Sequence, residues 1–284
     1  MIDLIVDGTS VFARGLFASE SESNNPFADP RQHAGSDYAT KTILKLVGKH
    51  TPFPQVPERI LFCWDGGYHK NDKCRKEKPD IYKSELAYFQ DSVGKLFGGS
   101  CCVSDSAEAD DLVASAAYKS ESDGNVVYVA SGDKDLHQIV SSATLVYSLC
   151  KKRLMDVRSV CIEWGVKNPT HVAIALALMG DRVDNIPAAG GVGKKTLAKL
   201  MQRVSPASPL LEAMERVVAG LPESTVRAAY ANLEATYLYR DLPTPEPMSI
   251  KMSADAATDF FYQGDYLVTL CEREGRSLDS MLDV

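Results

Sequence analysis

Apolar positions along the chain follow two rhythms. Ile2–Val6, Ile60–Trp64, Val126–Ala130 and Leu145–Leu149 are short continuous runs rich in β-branched and aromatic residues, the pattern of buried strands. Between them, apolar residues recur every three or four positions over Tyr82–Leu96, Ala109–Tyr118, Lys134–Val140, Thr170–Met179, Lys194–Val204 and Leu210–Ala219, which predicts helices. Strands alternating with helices predict an α/β fold with a central, mainly parallel sheet flanked by helices. Ser19–Ser36, rich in Ser, Asn, Pro and Asp, and Leu242–Pro247, with three prolines, read as loops.

Composition narrows the class. The chain has 284 residues, 45% hydrophobic and 24% charged, enough for a sizeable core, which excludes a disordered or collagen-like protein. The N-terminus enters the first strand directly, without a basic leader, and no apolar segment is long enough to span a bilayer, so a soluble, cytoplasmic protein with no membrane partner is expected. Seven scattered cysteines without a Cys-x-x-Cys pair argue for a reducing cytosol and against a zinc finger or disulfide scaffold. The net charge of −7 lies entirely in Ser205–Val284, with 6 Lys+Arg against 13 Asp+Glu; residues 1–204 are balanced. Overall acidity is therefore a weak argument against an anionic partner.

The strand ends carry the chemistry. Asp7 closes the first run, Asp65 the second, and Asp133 and Asp135 follow the third. In an open parallel sheet the carboxyl ends of the strands share one edge, where ligands bind. A single aspartate after a strand is usually a helix N-cap; repetition at successive strand ends is not explained by capping. Glu108, Asp110 and Asp111 open an apolar-periodic helix, three acids in four residues, more than helix-dipole placement requires. Asp181 and Asp184 fall at the end of a predicted helix, where the dipole disfavours them unless a cation compensates. Nine carboxylates converging could not all stay ionised unaided. An all-oxygen donor set suits Mg²⁺ or Mn²⁺. Without these nine acids, residues 1–204 carry +9.

Two segments suit a phosphate backbone. Gly191-Val192-Gly193-Lys194-Lys195-Thr196 joins two predicted helices; its glycines expose backbone amides, and Lys194, Lys195 and Lys199 favour sequence-independent contact over a plain linker turn. A P-loop is excluded, because Ala188 and Lys195 stand where that motif needs Gly and Ser or Thr. The second segment runs from His69 to Lys83 with six Lys or Arg, including Arg75 and Lys83, against three acids. Such a run is commonly a solvated face, but this one overhangs the acidic edge, and Tyr68 and Tyr82 offer rings for an unpaired base.

Taken in order, Val6-Asp7-Gly8, Trp64-Asp65-Gly66, Arg75, Tyr82-Lys83, Glu108-Ala109-Asp110-Asp111, Ser131-Gly132-Asp133-Lys134-Asp135 and Gly180-Asp181-Arg182-Val183-Asp184-Asn185-Ile186-Pro187 resemble the 5′ nuclease family, which comprises phage flap endonucleases and exonucleases and the nuclease domain of bacterial DNA polymerase I. The resemblance covers about residues 1–204, with no polymerase following, and implies a free-standing enzyme of phage type. It implies an α/β core at 1–180 with a helical arch at about 66–100 over the active site, and a helix-hairpin-helix-type element with a helical C-terminal region at 181–284. By motif, the nine acids would hold two divalent metal ions, Mg²⁺ with Mn²⁺ able to substitute, directly or through water. Lys83 and Arg75 would contact the scissile phosphate, and Gly191, Val192 and Gly193 with Lys195 would hold the duplex backbone. The implied reaction is hydrolysis of DNA at 5′ ends, flaps or nicks, with 5′ to 3′ polarity, by a monomer serving replication or repair, with metals roughly 4 Å apart. Leu86 replaces a frequent arch arginine, and Ala188 a frequent glycine.

Two other readings remain. Val6-Asp7-Gly8-Thr9-Ser10 is similar to the start of an aspartyl-phosphate phosphatase, but Ile5 stands where that chemistry needs a second aspartate. A structure-specific DNA-binding protein that has lost cleavage would show an eroded carboxylate set, and this set is intact.

Overall fold

The computed structural model describes residues 1–23, 33–48, 51–67, 80–98 and 100–250, with backbone only at 19–23, 80 and 81. Strands β1 (Ile2–Asp7), β2 (Arg59–Asp65), β3 (Ser100–Ser104), β4 (Val126–Ser131), β5 (Thr144–Ser148), β6 (Arg153–Met155) and β7 (Met248–Ser249) form one sheet. Its order is β3-β2-β1-β4-β5-β6, with β7 on β2. All pairings are parallel except β5–β6 and β2–β7. The chain builds outward from β1 to β2 and β3, then returns to the other side of β1 with β4 and β5. That reversal opens a crevice between the carboxyl ends of β1 and β4.

The helices are α1 (Gly8–Ser23), α2 (Ala34–Val47), α3 (Asp80–Phe97), α4 (Ala109–Ser122), α5 (Val157–Trp164), α6 (Val172–Met179), α7 (Lys194–Leu200), α8 (Leu210–Val218) and α9 (Glu223–Thr236). Successive strand residues point to opposite faces, so each continuous apolar run supplies both layers. Leu4, Val6, Phe62 and Ala130 pack with Phe12 of α1, Ile43 of α2 and Phe89 of α3. Ile5, Leu61, Val127 and Val129 pack on the other face with α4, α6 and the helices that follow. α6 is apolar all round because it is buried on all sides.

The chain from Thr236 to Ser249 straps the second layer. Tyr239 donates its N–H to Asp111 Oδ1 (2.8 Å), Leu242 donates its N–H to Ser115 Oγ (3.2 Å), and Lys119 Nζ meets Glu246 Oε1 (2.6 Å), before β7 pairs with β2. Among the described residues no helix is long and apolar enough to cross a membrane.

Three local expectations are corrected. Lys134–Val140 is not an α-helix but a single 3₁₀ turn over Asp135–Ile139, wholly buried between β4 and β5, with Gln138 Nε2 bonded to the carbonyls of Asp135 and Thr236. Residues 19–36 are not all loop: α1 runs to Ser23 and α2 begins at Ala34, since burial of Val11 and Phe12 fixes α1 regardless of its polar end. Asp181 and Asp184 are not in the last turn of a helix. α6 ends at Met179, and both acids lie in a turn closed by paired backbone bonds between Asp181 and Ile186 (2.8 and 2.7 Å). Gly180 makes the exit at φ 73°; a Cβ there would stand 2.6 Å from the Ala188 nitrogen.

Candidate metal centre and nucleic-acid interface

Asp7 ends β1 and caps α1: its Oδ1 accepts the Ser10 N–H (2.9 Å). Its Oδ2 accepts the hydroxyl of Ser131 (2.6 Å), the last residue of β4, so the crevice between β1 and β4 is bridged by one side chain. The Asp7 side chain is buried, and burial pushes its pKa up to about 7; the Ser131 hydrogen bond opposes the shift and nearby Asp133 and Asp65 add to it. Asp65, at the end of β2, is half-buried. Its N–H donates to Thr9 Oγ1 (3.1 Å), and its Oδ1 accepts the Ala109 N–H (2.8 Å) at the start of α4.

The structure also gathers two acidic groups. Oxygens of Glu108, Asp110 and Asp111, at the head of α4, lie within 4.8 Å of one another, as do oxygens of Asp135, Asp181 and Asp184. Asp7, Asp65 and Asp133 stand outside both groups. Asp133 is nevertheless tied to the second one, its Oδ1 accepting the Asp135 N–H (2.8 Å). Burial raises the pKa of both Asp133 and Asp135, and their neighbours Asp184 and Asp181 raise them further. Asp135 Oδ1 is buried without a hydrogen-bond partner in the protein. An orphaned carboxylate oxygen among other carboxylates is a costly arrangement that a hard divalent cation relieves, so the residues present fit metal ions bound through oxygen. Asp181 is paired with a basic residue, Lys134.

The sequence-derived phosphate contacts are placed unevenly. Lys194, Lys195 and Lys199 are exposed on α7, and Gly191 (φ 75°) and Gly193 have open space where a Cβ would stand. The Val192 side chain is buried in the core, leaving only its backbone to face a ligand. Lys83 is exposed on α3, whereas the Tyr82 ring packs edge-on against Phe12 at 5.1 Å. Leu86 also packs on the apolar layer under α3, a position where an arginine would lose its solvation. Tyr68, Arg75 and the lysines between them lie outside the described residues, so α3 is the described part of the expected arch. Ile5, where a phosphatase would need an aspartate, is fully buried in the core.

Sequence reasoning missed Thr9, Ser10, Ser131 and Lys134, which orient the acids, and Asn232 of α9, whose amide holds the carbonyls of Ala177 (2.8 Å) and Pro187 (2.7 Å). The first four lie within three residues of an acid, which was the available signal; Asn232 offered none.

An open α/β sheet with carboxylates gathered near its switch point is the architecture of a metal-binding α/β protein. A model of the family described as 5′-3′ exonuclease, N-terminal resolvase-like domain, matches residues 3–165. The chain is 32% identical over 250 residues to the 5′-3′ exonuclease of Aquifex aeolicus, covering 84% of this chain and 82% of that protein. It is also 32% identical over 163 residues to DNA polymerase I of Rhizobium leguminosarum, covering 56% of this chain and 16% of that one. The chain spans only 16% to 30% of the length of such polymerase relatives. Among solved structures, the bacteriophage T5 D15 protein co-crystallised with metal ions shares the fold, with a TM-score of 0.59 at 18% identity over 83% of this chain and 86% of that one. The chain belongs to the 5′ nuclease family, to which the nuclease domain of DNA polymerase I is homologous.

Proposed function

We propose that the chain is a structure-specific 5′ nuclease that hydrolyses DNA phosphodiester bonds at 5′ ends, flaps and nicks with 5′ to 3′ polarity, using two divalent ions, Mg²⁺ or Mn²⁺. The observation that carries this reading is the pair of acidic groups, each within 4.8 Å, one tied to the end of β2 through the Ala109–Asp65 bond and the other reached from the end of β4 through Asp133. Glu108, Asp110 and Asp111, with Asp65 beside them, would hold one ion; Asp135, Asp181 and Asp184, with Asp133, the other. Bound there, the ions would supply a nucleophilic hydroxide at neutral pH and charge stabilisation at the leaving oxygen.

The chain's own residues position the DNA. Asp7 is fixed through both oxygens by Ser10 and Ser131 at the β1–β4 crevice. Lys83 and Arg75 would neutralise the transferring phosphate. The amides of Gly191–Gly193 and the ammonium groups of Lys194, Lys195 and Lys199 would grip the duplex backbone independently of sequence, leaving the unpaired 5′ end to reach the acids. Residues 1–180 would form the nuclease core and 181–284 the duplex-binding part of a cytoplasmic monomer.

A 5′-labelled flap duplex incubated with and without Mg²⁺ tests the proposal. Short labelled products that depend on Mg²⁺ are expected. Binding without cleavage would favour the inactive DNA-binding protein, and phosphate release from small esters alone the phosphatase.

A further inference from the structure

We propose that Lys134 is a built-in counter-ion of the second acidic group, holding the place of a divalent cation at Asp181 until metal displaces it. This rests on the reading of Asp135, Asp181 and Asp184 as a metal site, and it concerns how that site is kept folded and how readily it loads. Lys134 lies between Asp133 and Asp135 in the turn after β4, and its Nζ pairs with Asp181 Oδ2, on a separate turn of the chain.

Asp181 has little freedom. Its Oδ1 accepts the Val183 N–H (2.9 Å), its backbone makes both bonds to Ile186, and its side chain is only 4% exposed. Oδ2 is therefore the oxygen left for a cation, and Lys134 is on it. Asp135, within the same 4.8 Å group, keeps Oδ1 buried and without a partner, so the ammonium answers only part of the group's demand. A divalent ion at this group and an ammonium on Oδ2 would be like charges a few ångströms apart, which repel strongly in a partly buried site. Of the two partners only the lysine can leave. Its side chain is 42% exposed and carried on a flexible four-carbon stem.

Without metal, Lys134 thus pins the 180–186 turn to the end of β4 and offsets repulsion among the acids. Loading exchanges one cation for another at the expense of affinity. A neutral residue at 134 removes the competitor, so the metal-free protein becomes less stable while the metal binds more tightly. A merely structural lysine would not move affinity in that direction.

The test is calorimetric titration of the full chain with Mn²⁺, for wild type, Lys134→Met and Lys134→Arg, alongside thermal melts in EDTA and in saturating Mn²⁺. Lys134→Met is expected to bind Mn²⁺ about threefold to tenfold more tightly, as removal of a nearby like charge predicts. It is also expected to melt below wild type in EDTA, with the gap closing in Mn²⁺. Lys134→Arg, which keeps the charge, should bind as wild type does. Unchanged or weaker Mn²⁺ affinity in folded Lys134→Met overturns the proposal, and a change confined to the KM for flap DNA overturns it in favour of a phosphate contact. Lys134→Gln repeats the measurement if the Met variant does not fold. Absence of Mn²⁺ uptake by wild type overturns the metal-site reading as well, whereas uptake with no gain in the variants overturns this inference alone.

Discussion

The Ser131 hydroxyl donates to Asp7 Oδ2 at 2.6 Å, and the same hydroxyl oxygen accepts the Asp133 N–H at 2.9 Å. One fully buried side chain therefore locks β1 to β4 at their carboxyl ends and starts the turn that delivers Asp133 and Asp135. Ser131→Ala leaves a buried carboxylate short of a donor, which should cost about 1–3 kcal/mol in chemical denaturation. It should also raise the Mg²⁺ concentration needed for half-maximal cleavage. Ser131→Thr, which keeps the hydroxyl, should restore most of that loss; failure of Thr to do better than Ala would remove the hydrogen bond from the explanation.

Asp135→Asn separates the cost of the acidic group from its use. The amide cannot ionise, so it relieves repulsion with Asp133, Asp181 and Asp184, and the metal-free variant should melt no lower than wild type. Cleavage of a flap duplex and the Mg²⁺-induced rise in melting temperature should both be lost, while DNA binding in Ca²⁺-free EDTA buffer persists. Retention of the Mg²⁺-induced rise would exclude Asp135 from metal binding.

Asp7 predicts a pH dependence of defined sign. Its pKa is raised from 3.8 to about 7, so in that interval the folded state holds a proton that the unfolded chain has released. Its contribution to stability is full below the unfolded value and is lost as pH rises through the folded one. His137 acts in the opposite sense. Burial lowers its pKa from 6.5 to about 4, and its Nδ1 accepts the Trp164 indole N–H (2.9 Å), so stability present above 6.5 is lost as pH falls towards 4. The two overlap, and the informative quantity is the difference in urea midpoint between wild type and Asp7→Asn in EDTA. The variant should gain on wild type from about pH 4 to pH 8; a difference independent of pH would mean that Asp7 titrates normally.

Gly180→Ala places a side chain at φ 73° with its Cβ 2.6 Å from the Ala188 nitrogen. Backbone strain of this kind costs about 1–3 kcal/mol. The turn it would distort carries Asp181 and Asp184, so thermal stability and Mn²⁺ affinity should fall together, whereas Gly193→Ala, at φ −93° with nothing within 4 Å, should leave both alone.

Replacing Lys194, Lys195 and Lys199 together with Gln should weaken duplex binding without regard to sequence and flatten its salt dependence. The slope of log K against log salt should shrink by about 0.9 for each duplex phosphate that is no longer neutralised. An unaltered slope in fluorescence anisotropy would place the duplex elsewhere on the molecule.

The parallel sheet and its acidic edge were legible because β1 and β2 are apolar runs ending at an acid, Val6-Asp7 and Trp64-Asp65, and the apolar run of β4 is followed shortly by Asp133 and Asp135. β3 was not, since Ser100-Cys101-Cys102-Val103-Ser104 is a polar-ended edge strand with Cys101 and Val103 exposed. α2 was hidden because its first turn, Ala34-Gly35-Ser36, looks like loop and is stabilised instead by Ser36 Oγ bonding to Glu85 of α3 (2.7 Å). Membership of the acids in two groups rather than one could not be read from spacing, because it depends on where the 180–186 turn lands against β4. The orienting hydroxyls escaped notice for a related reason: a serine declares its role only through the partner that folding brings to it.

The strap from Thr236 to Ser249 joins distant parts of the chain mechanically. Tyr239 gives a peptide N–H to Asp111, so the acidic head of α4 hangs from a segment 128 residues further along. Because the tether uses main chain rather than a side chain, substitution at position 239 by any residue other than proline leaves its donor in place. Cutting the polypeptide between Thr236 and Tyr239 would instead slacken the Glu108–Asp111 group from behind, through the bond to Asp111 and without altering any of its side chains.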